Sequence, residues 1–109
     1  MRQLDIDQVA VALEDGAVVI DVREAGEYVA GHVPGAIHLP MSRLTSRLDE
    51  LDRDSPVHLI CGSGNRSRAM ADLLDSLGFD AIDVLGGTSA WIQSGRPVQT
   101  GTGASRTGS

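Results

Sequence analysis

The only cysteine of the chain, Cys61, closes the apolar run Val57–Ile60 and is followed by Gly62, Ser63, Gly64, Asn65, Arg66 and Ser67. A free thiol has a pKa of about 8.5, so it is a poor nucleophile at neutral pH unless its surroundings favour the anion. This stretch supplies such surroundings. Glycines at 62 and 64 let the backbone turn its N–H groups inward. A helix opening near Arg66 adds unsatisfied N–H groups and a dipole, and Arg66 and Arg68 add positive charge. The ordinary reading of a lone cysteine is a small buried hydrophobe. A strand that runs straight into two glycines, an arginine and a helix is instead a poor core site and a good nucleophile cradle. Within it, Arg66 either orients an anionic donor or pairs with a carboxylate such as Asp21, leaving the backbone to bind. Ser63 and Ser67 can both donate hydroxyl hydrogen bonds, although Ser67 is read here first as the cap of its own helix.

Other candidates are fewer. Asp21 and Arg23, in "DVRE", fall at the end of a predicted strand on the same rim of the sheet as Cys61; an ordinary salt bridge is the competing reading. His32, His38 and His58 are scattered, so neither a metal trio nor a Cys–His base pair is visible, and each is read as structural, as is Trp91. With one cysteine there is no internal disulfide, no CxxC redox pair and no cysteine-rich zinc site. No metal is expected.

The elements that must position Cys61 are legible in the pattern. Asp5 and Gln8 form a capping box for a helix stopped at Gly16, with Val9, Leu13 and Ala12 on one face. Ala17–Val22, "AVVIDV", reads as a buried strand, "REAGEYVAG" as a short helix ending at Gly31, and "GAIHLP" as a short strand closed by Pro40. Leu44, Leu48 and Leu51 are spaced as a helix, and "VHLIC" follows as a strand. From Arg66 the set Met70, Leu73, Leu74 and Leu77 gives the clearest helix, ended by Gly78. "AIDVL" is then a strand and "GGTSAWIQSG" a turn and short helix. Strands alternating with helices predict an α/β fold with a largely parallel sheet, and sites in such sheets form beyond the carboxyl ends of strands.

Bulk properties bound the function. At 109 residues one domain is expected, and 41% hydrophobic against 3% aromatic residues makes its core aliphatic. Nine basic and fifteen acidic residues give a net charge of -6, which disfavours nucleic acid and anionic membrane surfaces. The N-terminus lacks a signal-peptide apolar region, and no run approaches the roughly 18 apolar residues of a membrane span. A cytoplasmic monomer is the expectation. Residues 101–109, "GTGASRTGS", carry no apolar pattern and are expected to form a flexible tail beyond a domain at 1–100.

The loop resembles the active-site loop of the rhodaneses, the sulfurtransferases. "VIDVREAGEYVAGHVPGAIHLP" (19–40) is similar to the family's first signature segment, and "GFDAIDVLGGTSAW" (78–91) to its closing one. The resemblance implies a rhodanese-like fold, with a five-stranded, mainly parallel sheet flanked by helices on both faces. It implies Cys61 as nucleophile, carrying a sulfane sulfur as a persulfide from a donor such as thiosulfate to cyanide or a cellular thiol, with no cofactor. The amides of Gly62, Ser63, Gly64, Asn65, Arg66 and Ser67 would bind the anion, and Asp21 and Arg23 would belong to a charged network bracing the site. Cysteine-dependent phosphatases place one more residue between cysteine and arginine, so phosphatase or arsenate reductase activity is the minor alternative. A low-turnover persulfide carrier or regulatory binding module is the main one. Gly62 stands where many thiosulfate-using members have a basic residue, and "CGSG" is similar to the loop start of the mercaptopyruvate-using branch. Thiosulfate is the first choice of donor.

Overall fold

A computed structural model describes residues 1–102. Five strands, β1 (Arg2–Leu4), β2 (Val18–Asp21), β3 (Ile37–His38), β4 (Val57–Ile60) and β5 (Ala81–Val84), form one sheet in the order β1-β5-β4-β2-β3. Every pairing is parallel. Five α-helices connect or follow the strands: α1 (Ile6–Glu14), α2 (Ala25–Ala30), α3 (Met41–Leu44), α4 (Asn65–Ser76) and α5 (Gly87–Gln93). No helix among the described residues is long and apolar enough to cross a membrane.

Alternation along the buried strands divides the core between the two faces of the sheet. Ile20, Leu59 and Cys61 face one layer with Leu44 of α3 and Ala71 and Leu74 of α4. Val19, Ile60 and Val84 face the other with Val9 of α1 and Trp91 of α5. The capping box of α1 forms as the sequence requires, with Asp5 Oδ1 accepting from the Gln8 N–H and Gln8 Oε1 from the Asp5 N–H, both at 2.9 Å.

Two elements depart from the sequence reading. Leu44, Leu48 and Leu51 do pack on the core, but in two pieces: α3 ends at Leu44 and a 3-10 turn spans Leu48–Glu50. The break follows from Ser46, whose hydroxyl and N–H both bond to the Arg43 carbonyl at 2.9 and 3.1 Å and so take the acceptor that a longer helix would use. β1 was not anticipated, because "RQL" has no apolar alternation; it forms at the sheet edge by pairing with β5 alone. Near the C-terminus, Gln99 bridges His32 antiparallel and the Gly101 N–H bonds to the Val29 carbonyl at 2.9 Å. The expected tail lies, from residue 103, outside the described residues.

Candidate active site

β2 leads to β3 on one side, whereas β4 leads to β5 on the other, so the chain changes direction between β2 and β4. Asp21 pairs with Ile60 across that boundary, which places Asp21 and Cys61 at the crevice where such sheets bind ligands. Cys61 follows β4 directly and Asn65 opens α4.

The short turn between them works because Gly64 adopts a left-handed φ of 115° as the N-cap of α4, a conformation that costs glycine little. That twist aims backbone donors at the sulfur, and the Gly64 N–H lies 3.0 Å from Cys61 Sγ. Burial pushes the thiol up, but the Ser67 hydroxyl and the amides of Ser67, Gly64 and Arg66 outweigh it and hold the group below its ordinary value. Cys61 is 1% exposed and forms the floor of the cup. Ser63 and Asn65 on its rim are exposed. Of the six loop residues predicted to bind the anion, Gly64 hydrogen-bonds the sulfur, and the surroundings at Arg66 and Ser67 favour its anion.

The floor is held from below by the next turn. Gly86 caps α5 with φ 77°, and the N–H groups of Thr88 and Ser89 bond to the carbonyls of Cys61 and Gly62 at 2.8 and 2.9 Å. Gly87 allows this approach: a Cβ there would stand 2.5 Å from the Cys61 carbonyl oxygen and 2.6 Å from that of Gly62. Neither Gly87 nor Thr88 was singled out from the sequence. The doublet Gly86-Gly87 after a buried strand was the available signal for a close backbone approach.

Two charged pairs flank the cup. Asp21, fully buried, accepts from the Arg23 guanidinium at 2.8 Å, and Arg23 Nη2 also reaches the Gly31 carbonyl at 2.7 Å. The ion pair that both readings of "DVRE" require is therefore present. Arg66, however, pairs with Glu27 of α2 and not with Asp21, in a two-pronged contact of 2.6 and 2.8 Å. Asp21 is already saturated by Arg23, whereas Glu27 projects from the neighbouring helix. The Arg66 guanidinium holds the Glu27 carboxyl down to about 2, and Glu27 in turn raises Arg66. Ser67 is not the helix cap. It sits in the first turn of α4, and its hydroxyl donates to Asp83 Oδ1 of β5 at 2.6 Å. An acid inside the buried strand "AIDVL" was the overlooked sign of that partner.

The histidines stay apart from the thiol. His32 and His38 stack on either side of Tyr28, with ring centroids 3.7 and 4.6 Å away, and His58 faces the Val18 carbonyl at 3.1 Å. Among the described residues no group of three or more His, Cys, Asp or Glu is placed to hold a metal ion.

Comparison with known proteins converges on one group. A family model described as the Rhodanese-like domain matches residues 5–94. The chain is 34% identical over 87 residues to the protein named "Putative sulfurtransferase YtwF" of Bacillus subtilis (strain 168), covering 80% of this chain and 84% of that protein. It is 36% identical over 74 residues to the same organism's "Putative sulfur carrier protein YrkF", of which it spans 40%. Among solved structures, a rhodanese-related protein from Thermoplasma volcanium superposes with a TM-score of 0.86 at 34% identity, over 93% of this chain and 100% of that one. A thiosulfate sulfurtransferase from Pseudomonas aeruginosa does so with a TM-score of 0.82 at 30% identity, over 94% of this chain but 20% of that one.

Proposed function

The chain belongs to the rhodanese-like domain family, and on that premise we propose that it is a sulfurtransferase working through a persulfide on Cys61. One observation carries the reading: the turn between β4 and α4 points the Gly64 N–H at Sγ from 3.0 Å, in surroundings that hold the thiol below its ordinary value. A neutral core cysteine has no use for such a cup.

The thiolate of Cys61 attacks the terminal sulfur of a donor such as thiosulfate. A new S–S bond forms, the donor's own S–S bond breaks, and sulfite leaves with the electron pair. The enzyme retains one sulfur as an anionic persulfide, bound by the same amides in the manner of an oxyanion hole. Cyanide or a thiol then attacks the outer sulfur, the persulfide bond breaks, and the Cys61 thiolate returns. None of these steps draws on a metal or cofactor. Cys61 is 1% exposed, so the reading requires a donor to reach its sulfur through the mouth of the cup, where Ser63 and Asn65 are exposed. Arg66 is committed to Glu27, so the backbone does most of the binding.

A second reading, a low-turnover sulfur carrier, is favoured by that same commitment of Arg66, which takes its cation from a free anion. Steady-state assay separates the two. With thiosulfate and cyanide the enzyme reading expects sulfite release over many turnovers, lost by at least about a thousandfold in Cys61→Ser. One sulfur per chain without turnover supports the carrier, and full activity in Cys61→Ser removes both. Hydrolysis of an aryl phosphate would point to the phosphatase alternative.

A further inference from the structure

Sulfur transfer through Cys61 leaves one carboxylate beside the cup without a task. Glu27 is planted in the first turn of α2, where its Oε1 accepts from the Glu24 N–H at 3.2 Å. The same oxygen accepts from Arg66 Nη1 at 2.6 Å, and Oε2 accepts from Arg66 Nη2 at 2.8 Å. Helix α2 therefore helps to hold the carboxylate where Arg66 meets it. With its carboxyl held down to about 2, Glu27 carries its charge throughout the neutral range.

The pair stands against the loop that surrounds the sulfur. Arg66 lies in the first turn of α4, and its side chain folds back over Gly62, the residue directly after Cys61: a Cβ on Gly62 would stand 3.3 Å from Arg66 Nη2. That is tighter than ordinary contact, so the missing side chain at position 62 is what leaves the guanidinium its place. A guanidinium donates two parallel hydrogen bonds to a pair of oxygens, and the oxygens of a carboxylate or of a sulfonate-like group take the same fork. Glu27 already occupies Arg66 in the way the anionic end of a thiosulfate-like donor would.

We infer that Glu27 sets donor specificity at this site, as an internal competitor for Arg66 that disfavours donors bringing their own carboxylate or sulfonate-like end, thiosulfate among them, relative to donors of the same reach that bring none. A charged donor gains the Arg66 fork only by displacing a carboxylate that α2 holds in place. An uncharged donor end displaces nothing.

This role rests on Cys61 being the reacting thiol, but its test needs no sulfur donor. Iodoacetate and iodoacetamide are alkylating reagents of nearly equal size that differ by one negative charge, and at one fixed pH the ratio of their rates cancels any change in the thiolate fraction of Cys61. Glu27→Gln is expected to raise the iodoacetate-to-iodoacetamide ratio by roughly three- to tenfold. Arg66→Gln, which leaves Glu27 unpaired, is expected to lower it below the parent's, and the double variant to return it to about the parent's. With thiosulfate as donor, Glu27→Gln should lower KM with kcat little changed. A packing role would move both reagents alike and leave the ratio where it was. An unchanged or lowered ratio in Glu27→Gln overturns the inference, as does a gain that survives in the double variant. Failure of both reagents to alkylate Cys61 at any pH contradicts the reacting thiol itself, whereas an unchanged ratio with both reagents active overturns only the part given to Glu27.

Discussion

The turns after β4 and β5 are built alike and used differently. Each runs from the end of a buried strand into a glycine with positive φ, Gly64 at 115° and Gly86 at 77°, and then into a helix. After β5 the first helical amides, Thr88 and Ser89, are spent on the carbonyls of Cys61 and Gly62. After β4 the Gly64 N–H is spent on a sulfur atom, in surroundings that favour its anion. A helix start has orphan donors in both cases. What separates a structural turn from a reactive one is whether those donors meet backbone or a side chain that can carry charge. The second turn also fixes the first: the carbonyls it holds belong to Cys61 itself and to Gly62 beside it.

The comparison can be broken at its tightest point. Gly87→Ala places a Cβ against two carbonyl oxygens and forces alanine to φ 58°, so a loss of about 2–4 kcal/mol is expected in denaturant unfolding, together with slower alkylation of Cys61. Gly26→Ala is the control, since nothing lies within 4 Å of its Cβ position and its φ is not positive; there we expect stability unchanged or slightly raised. Gly64→Ala sharpens the contrast. The nearest atom to its Cβ is 3.6 Å away, so the cost is conformational alone, about 1–2 kcal/mol, but it falls on the residue that donates to Sγ and should raise the pH at which Cys61 ionises.

Smaller effects come from the flanks. Glu27→Gln breaks the pair with Arg66, whose side chains are 41% and 36% exposed, so solvent screening limits the loss to about 1 kcal/mol or less at neutral pH. Because the Glu27 carboxyl is depressed to about 2, its contribution is present above the ordinary carboxylate range and fades as pH falls through that range toward 2. The variant and the parent should therefore converge in acid. Freed from Glu27, Arg66 should also lower the KM for thiosulfate. The smallest effect is expected at His58, which burial keeps below its ordinary pKa. The unfolded chain takes up that proton more readily, so stability falls as pH drops below about 6.5, and His58→Gln should flatten that limb of a melting profile.

The same contrast explains what the sequence could convey. The turn after β4 was legible because its residue types are costly anywhere else: a thiol, two glycines and an arginine between a strand and a helix. The α1 capping box and the Met70–Leu77 face of α4 were legible because both ends of each interaction lie within a few residues. The partners that arrive from afar were not. Glu27 finds Arg66, and Asp83 finds Ser67, only because the parallel crossovers bring α2 and β5 to α4, and spacing carries no record of that. Ser67 was misread as a cap because a serine near a helix start usually is one, whereas Gly64 takes that position by adopting a left-handed backbone. β1 escaped notice because its three residues gain their order from β5 and not from their own pattern.

The central claim is that the amide cup lets residue 61 hold a transferable sulfur, and the mass of the intact protein tests it most directly. After incubation with thiosulfate and removal of the excess, the chain should be heavier by one sulfur atom, Cys61→Ser should not, and cyanide should return the parent mass while releasing thiocyanate. No added sulfur from thiosulfate, mercaptopyruvate or a small persulfide, or an equal gain in Cys61→Ser, would contradict the account.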